Sequence, residues 1–224
     1  MLAIAIVLFA ASGSGALDYN RLFEPGTHQI FLWIIWIVLA VGILSRIVPN
    51  TRISLGSRKH FACTYEPAAT HDFSLQEKHA LRKSMNKGAL LSILSWFAIT
   101  STALLALYFF GVLTPAIVLI IALIFGALDR IFVTILCPFQ RLFMKNRCCI
   151  VCRIYNWDHL MMCLPLVLFP SFFSLTLAGL AIVAVTQWEL ALWKNPQFFS
   201  VETNRNLRCG SCTEKLCQFK NLGG

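Results

Sequence analysis

Long apolar runs at residues 30–48, 89–113 and 115–136 alternate along this chain with short polar and basic segments. Each run approaches the roughly 20 residues that a helix needs to cross a ~30 Å hydrocarbon layer, so the pattern predicts three transmembrane helices over those ranges. A fourth apolar stretch, residues 159–193, is longer than one span needs and shorter than two full spans with a turn. Pro165 and Pro170 interrupt its first half, and Ser171-Phe172-Phe173-Ser174 offers a turn before the unbroken run 175–193. The prediction there is a broken or re-entrant hairpin that brings the chain back to the face it left. Residues 1–16 form a short apolar segment with no basic residue ahead of it, which reads as a short first span, with a signal sequence as the competing reading. Residues 49–88 form a polar loop with an amphipathic helix over 74–86, residues 137–158 a cysteine-rich turn, and residues 194–224 a cysteine-rich tail. The expected fold is an all-α polytopic transmembrane helix bundle, one integral membrane domain from 1 to 224.

Composition agrees: 58% of residues are hydrophobic and 13% charged, and the mean hydropathy is +0.70. Such a chain lives in lipid, and a soluble domain is excluded. The formal net charge of +9 invites a nucleic-acid reading, but the basic residues lie where membrane orientation would put them. Arg52, Arg58, Lys59, Lys78, Arg82, Lys83 and Lys87 crowd the first loop, while the 111–115 hairpin carries no charge. Cytoplasmic loops collect Lys and Arg, so the first loop faces the cytoplasm. Counting spans forward puts the turn at 137–158 on the same side, in accord with its own Arg141, Lys145, Arg147 and Arg153. Lys194, Arg205, Arg208, Lys215 and Lys220 in the tail favour the returning hairpin.

That topology brings two cysteine patches to one membrane face: Cys137, Cys148, Cys149 and Cys152 from the turn, and Cys209, Cys212 and Cys217 from the tail. The cytoplasm keeps thiols reduced, which disfavours a disulfide framework and favours metal or redox use. Thiolates are the soft ligands that zinc and iron-sulfur clusters require, and a cubane takes four of them. Cys149, Cys152, Cys209 and Cys212 form the simplest set, one C-x-x-C pair from each patch; Cys148, Cys217 and Cys137 are further cofactor-binding candidates. Neighbouring Arg147, Arg153, Arg208 and Lys215 would favour thiolates, and the positive-inside bias explains them equally well.

The run Asp129-Arg130-Ile131-Phe132-Val133-Thr134-Ile135-Leu136-Cys137-Pro138-Phe139 resembles the G-R-x-W/F-C-x-x-x-C-P element of membrane-bound polyferredoxins. Those proteins accompany periplasmic nitrate reductase, nitrous-oxide reductase regulation and cytochrome oxidase maturation. Arg130, Phe132, Cys137 and Pro138 match, Asp129 stands in place of the glycine, and Val133 in place of the first cysteine. The resemblance implies a polytopic protein that carries electrons through [4Fe-4S] clusters and works with a redox partner protein or the subunits of a membrane complex.

Two other chemistries use the same thiols. A zinc clip would staple the tail to the turn in a membrane scaffold or assembly subunit without redox activity, and adjacent cysteines such as Cys148 and Cys149 with Cys152 would suit a membrane thiol oxidoreductase. Asp158 beside His159 at the membrane surface could exchange protons with a quinone, although helix capping by Asp158 is the simpler role. Glu189 and Asp129 end apolar runs, where structural ion pairs are expected. The five histidines lie in loops or at boundaries, which disfavours haem, and no nucleotide-binding or hydrolase motif occurs.

Overall fold

The computed structural model describes residues 18–21, 28–50, 54–68, 74–135, 137–145 and 148–212. The segment 1–16 and Cys217 lie outside them. Among the described residues the regular structure is helical, and the sole β-type pairing is a single antiparallel bridge between Pro67 and Asn204. Six α-helices follow in order: α1 (His28–Ile47), α2 (Leu55–Arg58), α3 (Leu75–Phe109), α4 (Pro115–Thr134), α5 (Asp158–Cys163) and α6 (Phe172–Lys194). Four of them, α1, α3, α4 and α6, are long and apolar enough to cross a membrane.

Local chemistry accounts for their ends. Ser74 opens α3 with a reciprocal cap: its backbone N–H donates to Glu77 Oε2 at 2.8 Å and its Oγ accepts from the Glu77 N–H at 3.3 Å. Gly111, at φ 68°, makes the left-handed turn after α3. Pro115 then starts α4 at the one position where its missing N–H costs nothing. The expected surface helix over 74–86 and the span beginning at 89 are one helix of 35 residues, about 52 Å long at 1.5 Å per residue. Nothing between Asn86 and Ala89 breaks a helix, since an interior glycine costs only about 1 kcal/mol.

The 159–193 stretch divides as its prolines indicate. α5 passes into a 3-10 turn over Leu164–Leu168, and α6 starts after Ser171, whose Oγ accepts the Ser174 N–H at 3.3 Å.

The chain forms two compact units. One contains the described parts of Met1–Leu44, Phe97–Arg130 and Trp157–Ala184. Its core holds Leu32, Ile35, Leu119, Cys163, Leu166 and Phe173. Tyr19 is fully buried there, stacked on Phe173 with its hydroxyl donating to Leu166 O at 2.8 Å, and Trp36 Nε1 donates to Thr176 Oγ1 at 2.9 Å. The other unit contains the described parts of Ser45–Trp96, Ile131–Asn156 and Val185–Gly224. It gathers the first loop, the cysteine turn and the tail. At its α6 end, Trp193 stays exposed and its carbonyl accepts from Arg82 Nη1 at 3.3 Å, the aromatic-plus-cation pairing common at a membrane interface.

Two helix glycines give a direct stability test. A Cβ on Gly88 would sit 2.8 Å from Phe143 O and 2.9 Å from Met144 Sδ, whereas one on Gly179 would meet nothing within 4 Å. Gly88→Ala is expected to destabilise the detergent-solubilised protein by ~1–3 kcal/mol through overpacking against a backbone oxygen. Gly179→Ala should be neutral or gain up to ~1 kcal/mol of helix propensity. Thermal unfolding of the two variants side by side decides this.

Candidate functional site

The second unit is assembled around one lysine. Lys59 follows the short helix α2 and is completely buried. Its Nζ donates to Ile150 O at 3.1 Å and to Cys152 O at 2.7 Å, the carbonyls of the C-x-x-C turn. The indole of Trp188 and the ring of Phe199 lie 4.9 Å and 5.2 Å from the same ammonium, within cation–π range. Trp188, itself fully buried, donates Nε1–H to Arg153 O at 2.9 Å. Three carbonyls of a short irregular segment thus receive buried donors, as chain without helix or sheet bonds requires.

Further contacts fasten 148–156 to 54–60. Ser54 Oγ and Tyr155 OH are 2.7 Å apart, and Asn156 Nδ2 donates to Ser57 O at 3.4 Å while its Oδ1 accepts from Arg46 Nη1 at 3.1 Å. Gly56 is needed for this approach, because a Cβ there would come within 3.0 Å of the Tyr155 ring and 3.2 Å of Ile150 Cα. Arg153 forms a forked pair with Glu189, one arm at 2.7 Å, so Glu189 is the structural ion-pair member expected of it. Asp158 begins α5 and accepts from the backbone N–H and the ring Nδ1 of His159, each at 2.9 Å.

The tail is tied to the first loop by backbone contacts. Arg205 N–H donates to Glu66 O at 2.8 Å, Ala68 N–H to Thr203 O at 3.0 Å, and Asn206 Nδ2 to Thr64 O at 3.0 Å. These contacts carry Leu207 into an apolar cluster with Leu55 and Ile150, against which Cys148, Val151 and Cys212 pack.

Both C-x-x-C pairs fold into the same turn. Residues 149–151 and 209–211 are each a single 3-10 turn closed by the fourth residue, with Cys152 N–H donating to Cys149 O at 2.9 Å and Cys212 N–H to Cys209 O at 3.3 Å. The residues on either side are extended in both cases: Cys148 and Arg208 before, Cys152 and Cys212 after.

The thiols differ in surroundings. Cys152 is buried, which pushes its pKa up to about 11 against the opposing pull of Lys59. Cys137 lies near enough to disfavour a thiolate at Cys152. Cys149 Sγ donates to Gln140 Oε1 at 2.9 Å, Cys148 and Cys212 border the apolar cluster, and Cys209 and Cys63 are exposed. Among the described residues no three His, Cys, Asp or Glu side chains are gathered closely enough to hold a metal ion. The cysteines are of the ligand type a thiolate centre uses and share one unit, but among the described residues they are not gathered into a ligand set.

Sequence reasoning did not single out Lys59, Asn156 or Trp188. Lys59 looks like one more basic loop residue, and its burial arises from partners about 90 to 140 positions away, which no local pattern announces.

Burial also holds the Lys59 pKa down to about 7 and that of its neighbour His60 to about 4. His60 packs against Phe61 and Trp188, and the positive charge of Lys59 and Arg46 adds to the effect of burial against the weaker opposing pull of Ser57 and Gln187. The unfolded chain binds this proton as the pH falls through 6.5, and the folded protein resists it until about 4. Stability is therefore expected to fall as the pH drops through that window, by up to about 3 kcal/mol at ~1.4 kcal/mol per pKa unit. Thermal unfolding from pH 7 to 4.5 should show His60→Phe losing less stability than the unmodified protein.

No protein-family model matches this chain, and neither a curated protein nor a solved structure resembles it significantly.

Proposed function

We propose that the protein is a membrane-bound iron-sulfur electron-transfer subunit whose thiol turns face the cytoplasm. The observation that carries this reading is the pair of matching C-x-x-C turns, one from the loop and one from the tail, with Cys148 and Cys212 packed on one Leu55–Ile150–Leu207 cluster. Thiols are the ligands that iron-sulfur clusters use, and six described ones, Cys137, Cys148, Cys149, Cys152, Cys209 and Cys212, exceed what a single tetrahedral zinc takes. Such a cluster, when bound, supplies one-electron chemistry at a potential set by its surroundings. The chain's own contribution is positional: Lys59 and Trp188 hold the 150–153 backbone, and the 64–68 contacts hold the tail beside it. Basic residues in the first loop, the cysteine turn and the tail support the cytoplasmic address. A soluble electron donor or a partner subunit on that side follows from the small size of the polar unit.

A second reading draws on the fastening of the tail. Hydrogen bonds from 203–206 to 64–68 already dock it, which is where a structural zinc would act as a clip.

Iron, zinc and acid-labile sulfide measured on protein purified without oxygen separate the readings. Iron and sulfide in near-equal amounts, with a band at about 400 nm that bleaches with dithionite, are expected. Replacing Cys148 and Cys212 together by serine should abolish the band. One zinc without colour would establish the clip instead.

A further inference from the structure

The polar start of α3 extends beyond what a span requires. Of its 35 residues, roughly 20 suffice to cross the hydrocarbon layer, and the helix changes from charged to apolar between Lys87 and Ala89 without a break. Arg82 and Trp193 mark that level: the guanidinium donates to Trp193 O at 3.3 Å and lies 6.0 Å from the indole, the kind of pairing that anchors a chain where headgroups meet acyl chains. Lys83, Lys87, Leu91 and Leu94 recur at helical spacing and share one face. All four are exposed, as is Leu90 beside them. One stripe thus runs from two cations to an apolar track reaching about 10 Å past Lys87 at 1.5 Å per residue.

A second segment meets α3 at the same level. The π-turn Gln140–Met144 approaches Gly88 so closely that a Cβ there would lie 2.8 Å from Phe143 O and 2.9 Å from Met144 Sδ. Lys145 closes that turn at φ 50°, its N–H donating to Gln140 O. The contact brings together the backbones of Lys87 and Lys145, the chain neighbours of Gly88 and Met144. Arg141 in the turn is exposed, and next to it Leu142 is 68% exposed, a mixture suited to a membrane surface. Among the described residues no carboxylate pairs with Lys83, Lys87, Arg141 or Lys145.

We infer that this corner of the second unit binds one anionic glycerophospholipid. Lys83, Lys87, Arg141 and Lys145 receive the headgroup phosphate, and Leu90, Leu91 and Leu94 carry an acyl chain. The positive-inside bias accounts for cations at this level. It does not account for two segments converging there, with cations on both and an exposed leucine track directly beyond. An acidic protein segment would satisfy the cations alone, whereas a phospholipid joins negative charge to an apolar chain at that same depth. The site does not depend on what the thiols bind.

The test titrates full-length protein, stripped of lipid in detergent, with dioleoyl phosphatidylglycerol and with dioleoyl phosphatidylcholine, and counts bound lipid by native mass spectrometry. One phosphatidylglycerol is expected to be held about tenfold or more tighter than phosphatidylcholine. Lys87→Gln with Lys145→Gln should weaken phosphatidylglycerol by about tenfold or more, while Lys78→Gln with Lys194→Gln, which removes the same charge elsewhere in the unit, should stay within about threefold. If the first pair lowers thermal stability, Lys83→Gln with Lys87→Gln replaces it, since both positions are exposed helix surface and glutamine is a good helix former. Equal losses in the site and control pairs overturn the site in favour of diffuse charge. Equal binding of the two lipids overturns it and leaves the patch to an acidic protein partner. Displacement of the lipid by inorganic phosphate at equal concentration overturns the acyl track, because a bare anion would then suffice.

Discussion

The hydrogen bonds from the Lys59 ammonium to Ile150 O and Cys152 O are the constraint on which the polar unit depends. They join the first loop to the cysteine turn, segments separated by an entire pair of spans, and they do so where no water can substitute. Removing the ammonium would take the buried donor from Ile150 O, at a cost of ~1–3 kcal/mol for an unsatisfied group, and leave Cys152 O with only the longer bond from the Tyr155 N–H at 3.4 Å. The surrounding contacts are arranged as if to protect these bonds. Trp188 and Phe199 close over the ammonium, Gly56 allows α2 to approach the turn, and Asn156 ties its far end to Ser57.

The same arrangement sets the chemistry of the thiols. Burial alone makes Cys152 a reluctant thiolate, and burial alone makes Lys59 a reluctant ammonium. Each relieves the other's penalty when both are charged, which is the behaviour of coupled sites. Cys209 is exposed, and Cys149 spends its S–H on Gln140. The two turns are therefore alike in backbone and unlike in burial.

The spans were legible in the sequence because lipid imposes a long, unbroken apolar run that few other structures need. The break in the last stretch was legible for a related reason: Pro165, Pro170 and the serines around Phe172 are local signals with local consequences. The boundary placed near residue 88 was less so, since the polar-to-apolar change there marks a change of solvent and not an end of helix, and α3 runs through it. The C-x-x-C spacing announced paired thiols, and the structure folds each pair into a 3-10 turn. Which thiols share a neighbourhood depends on Leu55 and Leu207 meeting Ile150, contacts made between distant segments. Lys59 was the least legible residue of all, because a buried lysine and a solvated one have the same letter and the same basic neighbours.

The path of the last stretch determines whether a shared thiol site can exist. α6 contributes 172–184 to one unit and 185–194 to the other, and the tail that follows it pairs with 64–68 in the unit that also holds the cysteine turn. A single straight crossing over 159–193 would have left the tail no route to Glu66 or Thr64. The 3-10 turn over Leu164–Leu168 and the capped restart at Ser171 interrupt that stretch instead. These two interruptions of an apolar stretch separate α5 from α6, from which the tail carrying Cys209 and Cys212 leaves.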